Sequence, residues 1–174
     1  IADAAKIKNV AARIKRRADA GDRVVAVVSA MGDTTDDLIE LAQQITEHPE
    51  AREMDVLLST GETQTSALMV MALHAIGVEA ISLSGAQAGM MTSSVHRNAR
   101  ITSIEPKRLK EELERGRVVI VAGFQGLTED MDIATIGRGG SDTKAVAFAA
   151  AIDARRGLHH GGDGRYTADP TRGA

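Results

Sequence analysis

Three short apolar runs limit most strongly what this chain can fold into: Arg23-Val-Val-Ala-Val-Val28, Val78-Glu-Ala-Ile-Ser-Leu83 and Arg117-Val-Val-Ile-Val-Ala122. The first and third are almost continuously apolar, so neither face can be given to water, and each reads as a strand buried on both sides. Helical patterns lie between them. Ile7, Val10, Ala11, Ile14 and Ala18 recur at helical spacing, which predicts a helix over residues 3–20 stopped at Gly21. A second helix is expected over Asp36–Glu47, capped by Thr34 or Thr35, with Asp36 and Asp37 where the helix dipole favours them.

Residues 50–76 read as helical but broken at Leu58-Ser-Thr-Gly-Glu62. Gly61 costs helix stability, and Ser59 or Thr60 can cap a restart with Glu62 in the new first turn. Beyond it, Ala67, Leu68, Met71 and Ala75 form an expected core face. Ser84–Met91 is too rich in small residues for a regular element, His96–Arg100 continues the irregular stretch, and a short strand is expected at Arg100–Ile104. Pro106 starts a helix over Lys107–Arg115 that Gly116 ends, and a last helix is expected over Asp142–Ile152. Strands alternating with helices across short links argue for one α/β domain, its parallel sheet covered by helices on both faces.

Aromatic residues are only 2% of the chain, so Ala, Val, Ile, Leu and Met must fill the core. A net charge of −3 with mixed signs gives no electrostatic case for nucleic acid or an acidic membrane. The basic cluster Arg13, Lys15, Arg16 and Arg17 has no interleaved aromatics and reads as the solvated side of the first helix. The absence of cysteine excludes disulfides, thiolate metal ligands and thiol nucleophiles. No apolar run nears the roughly 20 residues of a membrane helix, and the start does not read as a signal peptide. A cytoplasmic protein is therefore expected.

Open parallel sheets bind ligands beyond the C-terminal ends of their strands, and the polar loops of this chain fall there. Ser29-Ala-Met-Gly-Asp-Thr-Thr-Asp36 follows the first strand, and Gly123-Phe-Gln-Gly126 follows the third, ahead of an acidic turn at Glu129–Asp132. Ile136-Gly-Arg-Gly-Gly-Ser-Asp-Thr-Lys-Ala145 then leads into the last helix. Two readings of it stand open. Glycines and free N–H groups at a helix start suit an anion such as phosphate. A strand-to-helix turn with Ser141 as N-cap and Asp142 favouring the dipole accounts for the same residues. Asp142 would repel a phosphate unless Arg138, a lysine or a metal ion compensates.

These loops, in this order, resemble those of aspartate kinases in the amino-acid kinase family. The matching stretches are Val28–Asp36, Leu58–Glu62, Gly85-Ala-Gln-Ala-Gly89, Asn98–Arg100, Val121–Gly126, Ile136–Thr143 and Asp163-Gly-Arg-Tyr-Thr-Ala-Asp-Pro170. The resemblance implies a three-layer αβα sandwich and transfer of the ATP γ-phosphoryl group, with Mg²⁺, to the β-carboxylate of L-aspartate. It implies the first step towards lysine, threonine and methionine. By the same resemblance Glu62 would hold the substrate ammonium group, and Ser29 and Thr35 would contact the substrate. Arg138 would grip a substrate carboxylate, and Gly139, Gly140 and Ser141 would bring donors to the substrate or the transferring phosphoryl group. Asp142 would orient a lysine or sit near Mg²⁺, while Asp163, Gly164 and Tyr166 would lie on the nucleotide side. No metal ligand is assigned among them.

Three departures from the family pattern qualify this. The Lys-Phe-Gly-Gly-Thr-Ser loop expected ahead of Ile1 is absent, and no lysine evidently replaces its own; Lys144 stands where threonine is usual and reads as a tolerated variant. Arg155-Arg-Gly-Leu-His-His-Gly-Gly162 has glycines and charges where a buried strand is expected. Its adjacent His159 and His160 suit one metal ion poorly. Regulatory regions expected after residue 174 are absent, so residues 1–174 read as a partial catalytic domain with an incomplete sheet. That sheet favours a homo-oligomer, or a hetero-oligomer with a regulatory subunit. The alternatives are another amino-acid kinase with a different acceptor, and a non-catalytic or engineered fragment that keeps the fold.

Overall fold

The third apolar run lies at the centre of the molecule. In the computed structural model, which describes residues 3–136, 140–152, 158–159 and 165–166, this run is strand β5 (Val118–Ala122). It pairs in parallel with β1 (Val25–Val28) on one side and β2 (Ala80–Leu83) on the other. All of β5 is buried, and alternate side chains leave opposite faces. Val118 and Ile120 join a core with Ile7, Ala11 and Ile14 of α1 (Ala4–Asp19) and Met69, Val70 and Leu73 of α3 (Ala51–Ala75). Val119 and Val121 join a second core with Leu109 and Leu113 of α4 (Lys107–Glu114) and Phe148 of α5 (Gly140–Ala151). Helices therefore cover both faces of a parallel sheet, as the alternation of runs predicts.

Strand β1 is less enclosed than its sequence suggests. Only Val28 is buried, and Val25, Ala26 and Val27 are half-buried. Among the described residues β1 has one neighbour, so its flank lacks the cover that β5 has on both sides.

The helix ends follow local chemistry. Asp3 caps α1 by accepting the Lys6 amide at 2.8 Å. The basic side of α1 is solvated, with Lys15 paired to Asp19 and Arg17 to Asp22, each at 3.0 Å. Helix α2 (Thr34–Ile45) begins earlier than expected, and neither threonine caps it. Asp33 holds the N-cap position, and the Thr34 hydroxyl donates to the Met31 carbonyl at 2.5 Å. No residue of α2 is buried, and Leu41 and Ile45 are open to solvent. Pro106 occupies the N-cap position of α4, not its first helical residue.

The largest departure from expectation is α3, which runs unbroken for 25 residues. The Ser59 and Thr60 hydroxyls donate to the Val56 and Leu57 carbonyls at 2.7 and 2.6 Å, within the same helix, and do not cap a restart. Gly61 faces the loop after β1, where a Cβ would lie 3.1 Å from Ala30 Cβ and 3.3 Å from Thr34 Cγ2. Close approach, not helix termination, explains that glycine. The expected core face is also rotated: Met71 is 63% exposed and Ala75 is exposed, whereas Met69 and Leu73 are fully buried. Buried polar residues share the inward side of α3, so a search for apolar positions alone misplaced it.

A second, four-stranded sheet has the order β4-β3-β6-β7. It comprises β3 (Met90–Thr92), β4 (Ile101–Ile104), β6 (Gln125–Leu127) and β7 (Ile133–Thr135). Only β4 is expected from the sequence. Strands β3 and β6 are parallel, while β3–β4 and the β6–β7 hairpin are antiparallel, so not every pairing in the molecule is parallel. The glycines of Ser84–Met91 permit its packing. A Cβ on Gly85 would lie 1.8 Å from the Gln125 carbonyl oxygen. At Gly89, with φ of +88°, a Cβ would lie 1.9 Å from the Glu105 carbonyl oxygen. Within Arg155–Gly162 a two-residue strand, β8 (Leu158–His159), pairs antiparallel with β9 (Arg165–Tyr166). The rest of that stretch, including His160, lies outside the described residues. No helix among the described residues is long and apolar enough to cross a membrane.

Candidate functional site

Parallel pairing of β1 with β5 puts Val28 opposite Ala122, and the Gly123 amide donates to the Val28 carbonyl at 2.9 Å. The loops that leave these two strands thus start side by side at the C-terminal edge of the sheet. Ser29 is exposed directly after β1, and Thr35 is half-buried in the first turn of α2. The contact of Gly61 with Ala30 and Thr34 lays this loop on α3, one residue before Glu62.

Glu62 is 3% exposed, and its Oε2 accepts the Phe124 amide. It stands in the middle of a long helix, not in the first turn of a new one, so its carboxylate is held by a rigid element. The structure brings together the Ser29–Thr35 loop, Glu62 and Gly123–Phe124.

The chain reaches the same place again at the end of β7. The Ile136 amide donates to the Phe124 carbonyl at 3.1 Å, and Ile136 is the last described residue before 137–139. Arg138 and Gly139 lie outside the described residues, as do Asp163 and Gly164. Gly140, Ser141 and Asp142 form the first turn of α5, which lies against β1. Ser141 is thus inside the helix and is not its N-cap. Tyr166 is in β9, paired with Leu158. Lys144 falls in the second turn of α5.

Sequence reasoning missed a polar seam along one side of α3. Arg52 donates through Nε and Nη2 to Asp132 Oδ1 at 3.0 and 2.8 Å, in the turn of the β6–β7 hairpin. Those bonds and a contact with Glu53 raise the Arg52 pKa above its ordinary value. Asp55, fully buried, accepts the Thr135 hydroxyl. It also accepts the Arg97 amide at 3.0 and 3.1 Å and His96 Nδ1 at 2.8 Å. The tautomer with the proton on Nδ1 makes His96 the donor in that contact. Gln125 Nε2 donates to the Ser59 carbonyl at 3.0 Å, and Glu62 completes the row. Residues 52, 55, 59 and 62 recur at the spacing of one helix face. That polar periodicity is legible in the sequence, hidden there by the assumption that helix faces declare themselves through apolar residues.

Among the described residues no cluster of three His, Asp or Glu side chains could cage a metal ion. Mg²⁺ seldom needs one: it keeps several waters and is held by one or two carboxylates plus substrate phosphates.

The amino acid kinase family profile matches residues 1–173. The chain is 51% identical over 172 residues to the aspartokinase of Mycolicibacterium smegmatis, covering 98% of this chain and 41% of that protein. The chain thus spans about two fifths of the length of the curated relatives it matches. Among solved structures, aspartate kinase from Synechocystis superposes with a TM-score of 0.76 at 46% identity, over 89% of this chain and 25% of that one. E. coli aspartokinase III in complex with aspartate and ADP superposes with a TM-score of 0.59 at 27% identity, over 70% of this chain and 28% of that one.

Proposed function

The chain belongs to the amino acid kinase family, and from that premise we propose that it serves ATP-dependent phosphorylation of the L-aspartate β-carboxylate. The observation that carries this reading is the buried Glu62 carboxylate at the C-terminal edge of the parallel sheet, fixed beside the Phe124 amide. The likeness to aspartokinases over 98% of the chain supports aspartate as acceptor, and the aspartate- and ADP-bound relative supports ATP as donor.

The acceptor needs no general base, because a β-carboxylate is already ionised at neutral pH. One of its oxygens bonds to the γ-phosphorus of ATP while the bond from that phosphorus to the β,γ-bridging oxygen breaks, and ADP leaves. The protein's task is alignment and charge compensation. Glu62 binds the α-ammonium group of aspartate, and Arg138 pairs with a carboxylate, which its planar guanidinium suits. Ser29 and Thr35 contact the substrate, and Gly139, Gly140 and Ser141 supply donors. Asp142, in the first turn of α5, is the carboxylate assigned to Mg²⁺ or to orienting a lysine. When bound there with ATP, Mg²⁺ would supply charge compensation for the phosphates. Asp163, Gly164 and Tyr166 are assigned to the nucleotide side. A cytoplasmic setting and a place in lysine, threonine and methionine biosynthesis go with this reading. The open apolar residues of α2 support a homo-oligomer, or a hetero-oligomer with a regulatory subunit.

The test is Glu62→Gln. The amide oxygen can still accept from Phe124, so the fold is kept while the charge is lost. The KM for aspartate should rise about 10- to 100-fold with the KM for ATP unchanged. An unchanged aspartate KM would remove Glu62 from the acceptor site.

A further inference from the structure

Asp55 lies seven residues before Glu62 on the same side of α3 and takes no part in the chemistry proposed above. It is a fully buried carboxylate that accepts from three donors on two other segments. Two of them, His96 Nδ1 and the Arg97 amide, belong to the stretch between β3 and β4. The third, the Thr135 hydroxyl, belongs to the last residue of β7. Arg97 has φ of +63°, a left-handed conformation that a non-glycine residue adopts at a cost. Asp55 holds it there, because both carboxylate oxygens take its amide. The two segments are also joined directly: the Ala99 amide donates to the Thr135 carbonyl at 3.0 Å, and Ala99 forms a parallel bridge with Ile136.

The consequence falls on Ile136. It is bridged on one side to Ala99 and bonded on the other to Phe124, whose own amide is on Glu62. The end of β7 is thus fixed between two carboxylates of one helix. Asp55 acts through Thr135 and Ala99, Glu62 through Phe124.

We infer that Asp55 is a positioning residue: held in α3, it fixes Thr135 and Ile136 at the end of β7, and through the Ile136–Phe124 bond it sets how the acceptor side of the site is seated beside Glu62. This rests on the acceptor site proposed above. Asp55 touches no substrate in this account. A buried carboxylate with three donors suits the role because each donor loses a partner if the others shift, which makes the arrangement all-or-none.

Two substitutions test it in the full-length protein. Asp55→Asn replaces one acceptor oxygen by a donor, and Thr135→Val removes the hydroxyl at nearly constant volume. Each should raise the KM for aspartate by about tenfold or more, since misplacement by an ångström is enough for such an effect. The KM for ATP should stay within about twofold. Thr135→Ser, which keeps the hydroxyl, should restore the aspartate KM. A purely structural role would lower the amount of folded enzyme and its apparent kcat, with the aspartate KM untouched; that result in Thr135→Val overturns the inference. Should the unaltered protein transfer no phosphoryl group to aspartate, the proposed function fails, and amide hydrogen exchange decides this inference separately. Exchange at Ala99 and Ile136 accelerated about tenfold in Thr135→Val, with Val119 unchanged, supports it; exchange unchanged at all three overturns it.

Discussion

Replacing Gly61 by alanine asks whether α3 and the loop after β1 are packed as closely as the acceptor site requires. Two terms favour alanine: helix propensity, worth about 1 kcal/mol, and burial of one methyl group, worth about 0.8 kcal/mol. The opposing term comes from the neighbours. The new Cβ would lie 3.1 Å from Ala30 Cβ and 3.3 Å from Thr34 Cγ2, with Leu38 Cδ1 at an ordinary 3.7 Å. Carbon atoms attract best at about 3.5–4.0 Å, so Ala30 and Thr34 must retreat by a few tenths of an ångström. Overpacking of this kind costs about 1–3 kcal/mol. The terms are of equal size, so the unfolding free energy should change by less than about 1 kcal/mol. Function should not be spared. The retreating backbone carries Ser29 and Thr35, and the Thr34 hydroxyl bond to Met31 passes any shift into the start of α2. Activity with aspartate, as kcat/KM, should fall about tenfold. Urea unfolding and steady-state kinetics on the same preparation read both effects. An alanine variant more stable by about 2 kcal/mol, with undiminished activity, would show that the gap has room and that Gly61 is not needed for close packing.

Four further substitutions test the packing of the fold. Met69→Ala should cost about 2–5 kcal/mol and Met71→Ala less than about 0.5 kcal/mol in denaturant unfolding, because the first side chain is fully buried and the second is not. Equal losses would mean that α3 is rotated from the position described here. Gly85→Ala should cost about 3 kcal/mol or more, since its Cβ would overlap the Gln125 carbonyl at 1.8 Å. A variant with unaltered unfolding would contradict that contact. Glu112→Gln should cost about 1 kcal/mol, a modest value because its partners Arg115 and Arg117 are 61% and 39% exposed and screened by water. A loss several times larger would show that the pair is better shielded than its exposure indicates.

What could be read in the sequence, and what could not, divides along physical lines. β5 announced itself because it is central and buried on both faces, so every position had to be apolar. β1 carries a similar run but has one neighbour among the described residues, and Val25, Ala26 and Val27 are only half-buried. β3, β6 and β7 are three residues each, too short for a periodic signal, and β6 contains Gly126. Their partners, not their composition, make them strands. Gly61 was misread because its local cost to a helix is visible in sequence while the loop that needs the space is not. At the candidate site Glu62 and the Ser29–Thr35 loop were legible through a family resemblance, and the structure places them together. Asp55 was not. A lone aspartate inside a helical stretch gives no hint of its donors until the segments holding His96, Arg97 and Thr135 are folded beside it.

The most direct test of the account is to look for the bond it says is made. An acyl phosphate reacts with hydroxylamine to give a hydroxamate and inorganic phosphate, and the hydroxamate is read as its coloured ferric complex, so the full-length protein should yield one hydroxamate per ADP when ATP, Mg²⁺ and L-aspartate are present. L-Asparagine, which lacks the ionised β-carboxylate, should yield neither product. Hydroxamate formation that depends on aspartate and matches ADP is the predicted result. ADP release without hydroxamate, or equal release with asparagine, would contradict it.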